Sequence, residues 1–545
     1  MMGGMVAPDS MDRNRRLLLL LLTAALLVRL AHWWAVRDEP FFAWLAMDSQ
    51  EYDRWAQEIA SGSWLGSQVF FQAPLYPYLL AVLYAVFGRS LDAVYLTQIG
   101  LAVAGIWALY RAGREMGGER VGLAAAGLAA FYGPFLFHDV QLLKESLAVS
   151  ATCFLLWALT RKRWLVAGLL LGVLALLREN ALLLLPFLAA GKGFVRRGAL
   201  LLAGLILALL PVAIRNGIVG GDFLPTTFQG GVNFYIGNNP EADGTYQPIV
   251  PGKQIPALER QEPVRVAEQE LGRKLSPAEV SSYWMGKSLA WAAEHPGGFL
   301  RLQLRKLGMF WSWYEWPDAI DYYWVRGLSP ALRWLAPVEF GAITLLALAG
   351  LWMIRREPGP FAPALLFALG WMLTTVIFFL FSRYRLPAVP ALMILAAVPL
   401  SRVKGKKILL VLAALLLPHL TGFQPRLDLV HYNLGRIDDE RGNPDAAREH
   451  YKAAFVLNPD DFLSCLNLGN HAARRRDWPT ALRFYLRAEE LEPSSDDVQS
   501  NLGGVYLALG QLDEAARRFD RALALNPKNP SALHNRELLR QRLAR

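Results

Sequence analysis

The stretch RRLLLLLLTAALLVRLAHWWAV, residues 15–36, decides how the rest of the chain is read. An apolar run of about 20 residues is what an α-helix needs to cross the hydrocarbon core of a bilayer. The stretch opens like a secretory leader, with Arg13, Arg15 and Arg16 ahead of the leucines. It then carries Arg29 and His32 and ends in Trp33-Trp34, not in a small-residue cleavage site, which makes it an uncleaved first membrane helix.

Working outward, further apolar runs fall at roughly 91–110, 120–137, 141–160, 164–177, 181–190, 199–214, 336–354, 361–381, 386–400 and 408–420, which gives about eleven spans. The links RAGREMGGER (111–120), RKR (161–163), GKGFVRR (191–197), RRE (355–357) and SRVKGKK (401–407) are basic. With the N-terminus in the cytoplasm and sides alternating, every one of them falls inside, as the positive-inside rule requires. The formal charge of +10 is thereby explained as topology and calls for no nucleic acid. With 545 residues, 54% of them apolar, the chain is too long for one core and too apolar for an ordinary soluble protein. Cys153 and Cys465 offer neither metal-ligand spacing nor a disulfide framework.

The expected fold is therefore all-α: a polytopic membrane helix bundle over residues 1–420, with external loops at 37–90 and 215–335, and a soluble helical solenoid over 421–545. The segment at 73–88, interrupted by Pro74 and Pro77, is expected to lie along or dip into the interface. The solenoid shows as a repeat. Leu434-Gly435, Leu468-Gly469 and Leu502-Gly503 recur at 34 residues, as do Ala447, Ala481 and Ala515, then Tyr451, Tyr485 and Phe519, then Pro459, Pro493 and Pro527. This is the tetratricopeptide pattern, three helical hairpins that must stack to bury their apolar faces, with a polar capping helix over 531–543. Its concave face suits a protein or peptide partner, and a spacing role is the plainer reading.

This topology sends the chemically interesting segments to one side, facing membrane lipid and the extracytoplasmic space. In LAMDSQEYDRWAQEIASG (45–62), Asp48, Glu51, Asp53 and Glu58 lie on an amphipathic helix. They are either the charges any polar loop needs or a carboxylate aimed at surface chemistry. In HDVQLLKESL (138–147) a helix is expected to start after Asp139 and to bury Lys144 and Glu145, as a neutralised cluster or as a phosphate site, since intramembrane ionisable groups point to function by default. Arg178-Glu179-Asn180 reads as a mutually satisfied pair or a binding turn. In SRYRLP, Arg383 and Arg385 flank Tyr384 with little acid nearby in sequence, a fork suited to phosphate or to lipid headgroups. The Gly- and Asn-rich loop 227–246 offers Asn233, Asn238 and Asn239 to sugar hydroxyls or to ordinary turns. Arg301, Arg305 and Lys306, followed by Trp311, Trp313, Tyr314 and Trp316, read as an interfacial helix and an aromatic belt. His138 beside Asp139 supplies two ligands for a divalent metal, with no third in view.

An acidic residue opening the first external loop, a second acid in the next one, a large later loop and an Arg-containing turn at a helix re-entry together resemble the GT-C glycosyltransferases, among them the protein O-mannosyltransferase and lipid A aminoarabinose transferase relatives. The resemblance spans about residues 15–420. It implies a polyprenyl-phosphate sugar donor and an acceptor hydroxyl on protein, glycan or lipid. Asp48 falls at the catalytic carboxylate and Asp139 at the acid of the second loop, while Lys144, Glu145, Arg178, Arg383, Tyr384 and Arg385 become substrate-binding candidates. The chain departs from the mannosyltransferase pattern in having Asp48-Ser49 for adjacent Asp-Glu and Gln72-Ala73-Pro74 for His-Pro-Pro. A scaffold or transporter that recruits partners through its repeats, and a polymerase or ligase of lipid-linked glycans, are the competing classes.

Overall fold

The computed structural model describes residues 8–191, 193–253, 256–403 and 422–544, together with positions 405, 411, 413, 415 and 417. Among them every regular element is helical, and the one extended pairing is an isolated bridge between Tyr132 and Val338. The chain divides into two compact units: Met1–Tyr246, Val266–Asp318 and Val325–Gln424 form the first, and Gln247–Arg265, Ala319–Trp324 and Pro425–Arg545 the second.

Among the described residues of the first unit, five helices are long and apolar enough to cross a membrane: Arg13–Val36, Leu91–Gly117, Phe194–Gly220, Gly359–Val376 and Ser382–Arg402. Five shorter apolar helices accompany them, Leu75–Phe87, Glu145–Thr160, Trp164–Ala175, Glu179–Ala189 and Phe340–Ile354. The span expected at 408–420 falls largely outside the described residues.

Small residues bring these helices together. A Cβ added at Gly168 would stand 2.2 Å from the Leu201 carbonyl oxygen, and one at Gly204 would stand 2.2 Å from that of Leu165. Helices Trp164–Ala175 and Phe194–Gly220 therefore touch backbone to backbone, the close approach that small residues permit between membrane helices.

Two expected helices are interrupted and a third starts late. The run at 120–137 is two helices, Glu119–Ala130 and Gly133–Asp139, because Pro134 belongs in a first turn and cannot continue the preceding one. At the break, Val338 donates its amide to Phe131 and accepts from that of Gly133. The run at 181–190 starts as a 3-10 turn over Glu179–Leu184 and becomes α-helical at Leu185–Ala189, again where a proline, Pro186, fits the first turn. The helix expected directly after Asp139 begins only at Glu145, so residues 140–144 form a bent connection with Lys144 at the helix cap.

In the second unit the helices Leu427–Glu440, Pro444–Leu457, Phe462–Arg474, Trp478–Leu491, Asp496–Ala508 and Leu512–Leu525 make three hairpins, followed by Pro530–Leu543. The sequence period has a steric cause. A Cβ at Gly435, Gly469 or Gly503 would come within 2.8, 2.4 and 2.5 Å of the rings of Tyr451, Tyr485 and Phe519 respectively. Each hairpin closes by seating an aromatic ring on a bare backbone.

Candidate active site

Asp48 opens the helix Asp48–Ala60, whose buried face is Tyr52, Asp53, Ala56 and Ile59 at the 3–4 spacing of an amphipathic helix. The preceding Met47 has φ 54° and ψ −130°, a conformation that a side-chain-bearing residue adopts only at a cost of about 1–3 kcal/mol. The helix is pinned from below by Asp53. That carboxylate accepts from Arg89 at 3.0 and 3.1 Å and from the Tyr84 hydroxyl at 2.7 Å, tying the helix to Leu75–Phe87 and its C-terminal turn.

The position of Asp48 brings it to Arg383, which begins where the chain re-enters the bundle through the short helix Ser382–Arg385. Arg383 Nη2 donates to Asp48 Oδ2 at 2.9 Å and lies 2.6 Å from Asp318 Oδ2, while Nη1 is 3.8 Å from Glu145 Oε1. Glu145 pairs with Arg178, and the Arg178 guanidinium lies 4.5 Å over the Tyr384 ring. The expected Arg178–Glu179 pair does not form; Glu179 instead accepts from Gln229 at 2.7 Å and Thr227 at 3.2 Å, both from the long loop.

Lys144 completes the group. It is buried, in the field of Glu179, Arg178, Glu145 and Asp48, yet its ammonium makes no hydrogen bond and no ion pair among the described residues. Arg178 Nε, Arg383 Nε, Glu145 Oε2 and His138 Nδ1 are also buried without a hydrogen-bond partner among those residues. Buried polar groups are nearly always satisfied, so this concentration of unmet donors and acceptors is what a polar ligand would complete. Burial pushes the Asp318 carboxyl above its ordinary range against the pull of Arg383, and burial followed by the charge of Asp48 raises the Tyr52 phenol well above its own.

Other expected site residues lie apart from this group or are fully engaged. Asp139 accepts from Arg29 Nε at 2.8 Å and from Ser146 Oγ at 2.5 Å, and Arg29 also donates to the carbonyls of Ala25, Ala129 and Ala130. Both carboxylate oxygens are engaged by these partners, which tie the first helix to the segment that leads to Lys144. Arg385, the other arm of the expected phosphate fork, is engaged within the protein. It is fully buried, donates to Phe310 O at 3.0 Å, Ser312 O at 2.6 Å and Glu315 Oε1 at 2.8 Å, and lies over Phe340. Asn238 is also fully buried, donating to Phe234 O and Ile377 O and accepting from Gln303 and Lys306, and Asn239 closes its own turn. Asn233 is half-buried, and its side chain makes no hydrogen bond among the described residues. Lys306, read as part of an interfacial helix, is buried with Nζ donating to Gly237 O, Asn238 Oδ1 and Phe378 O. Burial pushes it down to about 7, while the three acceptors favour its protonated form.

Asp318 is the site residue that sequence reading missed. Glu315 and Asp318 interrupt an aromatic stretch assigned to anchoring, and two acids amid tryptophans were the available signal. Among the described residues no three His, Cys, Asp or Glu side chains gather to hold a metal ion.

Comparison with known families bears on the segment that contains Asp139, Lys144, Glu145 and Arg178. Residues 72–214 match the family model described as dolichyl-phosphate-mannose-protein mannosyltransferase. That match covers about a quarter of the chain, within the helix bundle, and the repeats match two tetratricopeptide models over 432–498 and 472–536. The human protein O-mannosyl-transferase TMTC3 is 30% identical over 124 residues, which is 23% of this chain and 13% of that protein. This chain therefore spans about an eighth of that relative's length. Among solved structures, ArnT from Cupriavidus metallidurans bound to undecaprenyl phosphate is 14% identical, covering 86% of this chain and 79% of that one with a TM-score of 0.42. The apo oligosaccharyltransferase of Archaeoglobus fulgidus is 14% identical, covering 81% and 59%, with a TM-score of 0.44.

Proposed function

We propose that this protein is a membrane glycosyltransferase that moves a sugar from a polyprenyl-phosphate donor to an acceptor hydroxyl on the extracytoplasmic face. The N-terminus is cytoplasmic and the repeats extracytoplasmic. The observation that carries the reading is the buried Lys144 side chain, which makes no hydrogen bond and no ion pair among the described residues, in the group that holds Arg178, Arg383 and Asp48. Three cations suit a phosphate, and the donor chemistry is supported by the family matched at 72–214.

In this mechanism Asp48 takes the proton of the acceptor hydroxyl as its oxygen attacks the anomeric carbon. The bond from that carbon to the phosphate oxygen breaks, its electron pair leaves with polyprenyl phosphate, and the configuration inverts. Lys144, Arg178 and Arg383 stabilise the charge that develops on the leaving phosphate, and fixed cations in a site shielded from water do this without reorganising. Arg383 doubles as the clamp that orients Asp48 and Asp318. Tyr384 supplies the wall against which Arg178 stacks. Asp139 contributes by holding the Lys144 connection through Arg29 and Ser146. A protein or peptide partner of the repeats would bring acceptors to this face.

Asp48→Asn is the direct test: transfer to a hydroxyl acceptor is lost while the purified protein is still thermally stabilised by polyprenyl-phosphate sugar. Turnover near the wild-type rate would remove Asp48 from the mechanism, and absence of any donor-dependent stabilisation in the wild type would favour a scaffold.

A further inference from the structure

The second unit contains two pieces of the long loop, and one of them is held by a lysine. Residues Val250-Pro251-Gly252-Lys253 form a tight turn: the Lys253 amide donates to the Val250 carbonyl at 3.1 Å, and Gly252 has φ +81°. Proline followed by a left-handed glycine is the pattern of a type II turn, so the sequence presets the shape before it docks. A Cβ on Gly252 would stand 3.2 Å from the Phe462 ring, so the bare turn lies flat against the second repeat.

The lysine then reaches the third repeat. Its ammonium is 2.5 Å from Asp497 Oδ2 and 3.5 Å from Asp496 Oδ1. Lys253 is 8% exposed and Asp496 2%. The second oxygen of Asp496 accepts from Asn526 at 2.7 Å and Asn529 at 2.8 Å, which fixes that carboxylate for an incoming cation. Phe462 and Asp496 stand 34 residues apart and open equivalent helices, so adjacent repeats read one turn, first by an apolar contact and then by charge. The first repeat grips the other loop piece: Asn433 Nδ2 donates to Ala319 O at 2.7 Å and the Arg426 amide to Asp321 Oδ2 at 3.0 Å.

We propose that Phe462, Asp496 and Asp497, with Asn526 and Asn529 behind them, form a receptor for a lysine-bearing turn, and that its resident ligand is the chain's own Val250–Lys253. The inference is independent of the transfer chemistry. The repeats are occupied in cis, and a segment of another protein gains this pocket only by presenting a basic Pro-Gly turn that displaces Lys253.

The test uses the full chain in detergent and a capped, fluorescein-labelled peptide of residues 247–253, followed by anisotropy. Wild type takes up the peptide weakly because the pocket is filled. Lys253→Glu, repelled by Asp496 and Asp497, frees it and binds the peptide about tenfold more tightly. Asp497→Asn added to that variant loses the gain. Equal affinity in wild type and Lys253→Glu, or a gain that survives Asp497→Asn, overturns the proposal. Should Lys253→Glu unfold the repeats, Lys253→Gln is put through the same comparison with the same two outcomes.

Discussion

Arg383 donates to Asp48 at 2.9 Å across 335 positions of sequence, and the same guanidinium nitrogen lies 2.6 Å from Asp318. One planar cation thus fixes a carboxylate of the segment after the first helix against a carboxylate of the long loop. A lysine places a single point charge and cannot hold both in a fixed geometry. Arg383→Lys is expected to lower turnover by on the order of a hundredfold with the fold retained. Unchanged turnover would separate the clamp from the chemistry.

Lys144 gives the opposite pattern of stability and binding. A buried cation without a partner destabilises the ligand-free protein. Lys144→Met should therefore raise its melting temperature, by the equivalent of about 1 kcal/mol or more, while abolishing the stabilisation produced by polyprenyl phosphate. A variant that melts lower, or that still responds to the lipid phosphate, would place the phosphate elsewhere.

Asp139 and Arg29 form a buried pair, so removing one partner leaves an uncompensated charge. Asp139→Asn is expected to cost about 3–5 kcal/mol of stability, and Arg29→Met combined with Asp139→Leu to recover most of it. Denaturation of the single and double variants measures the coupling. Loss of activity in a fully stable Asp139→Asn protein would instead place this residue at the reacting atoms.

Met47 holds a backbone conformation that glycine adopts freely. Met47→Gly should relieve strain and stabilise the protein by about 1 kcal/mol, while loosening Asp48 and slowing transfer. A thermal melt and a turnover assay on the same preparation check both signs.

The docking of Lys253 predicts a pH window. Asp497 and Asp496 raise the Lys253 ammonium despite its burial, and Asn529, Asn526 and Lys253 hold Asp496 below the usual carboxylate range despite the burial that opposes them. The depressed carboxylate contributes stability that is present above its unfolded value and lost as pH falls through the folded one. The raised ammonium contributes stability present below its unfolded value and lost as pH rises through the folded one. Peptide exclusion in the wild type should hold from about pH 5 to about pH 10 and weaken progressively as pH falls below the ordinary carboxylate value of about 4. Exclusion that persists in acid would mean the turn is retained without its charge pair.

What sequence determined here is whatever depends on local periodicity. The membrane helices follow from runs of apolar residues. The three repeats follow from a 34-residue period, whose glycines are dictated by a ring packed on each backbone. Asp48, Lys144, Glu145, Arg178 and Arg383, which the structure gathers into one group, stand out in the sequence because charges beside or within apolar runs are costly. Their partners do not. Whether a buried aspartate faces a ligand or an arginine is a matter of contacts between residues more than a hundred positions apart, as Asp139 and Arg29 are. For the same reason Arg383 and Arg385, two positions apart, diverge: the tight helical turn aims one at Asp48 and the other at Glu315. Residue type sets what a side chain can bind, and only tertiary packing decides which partner reaches it first.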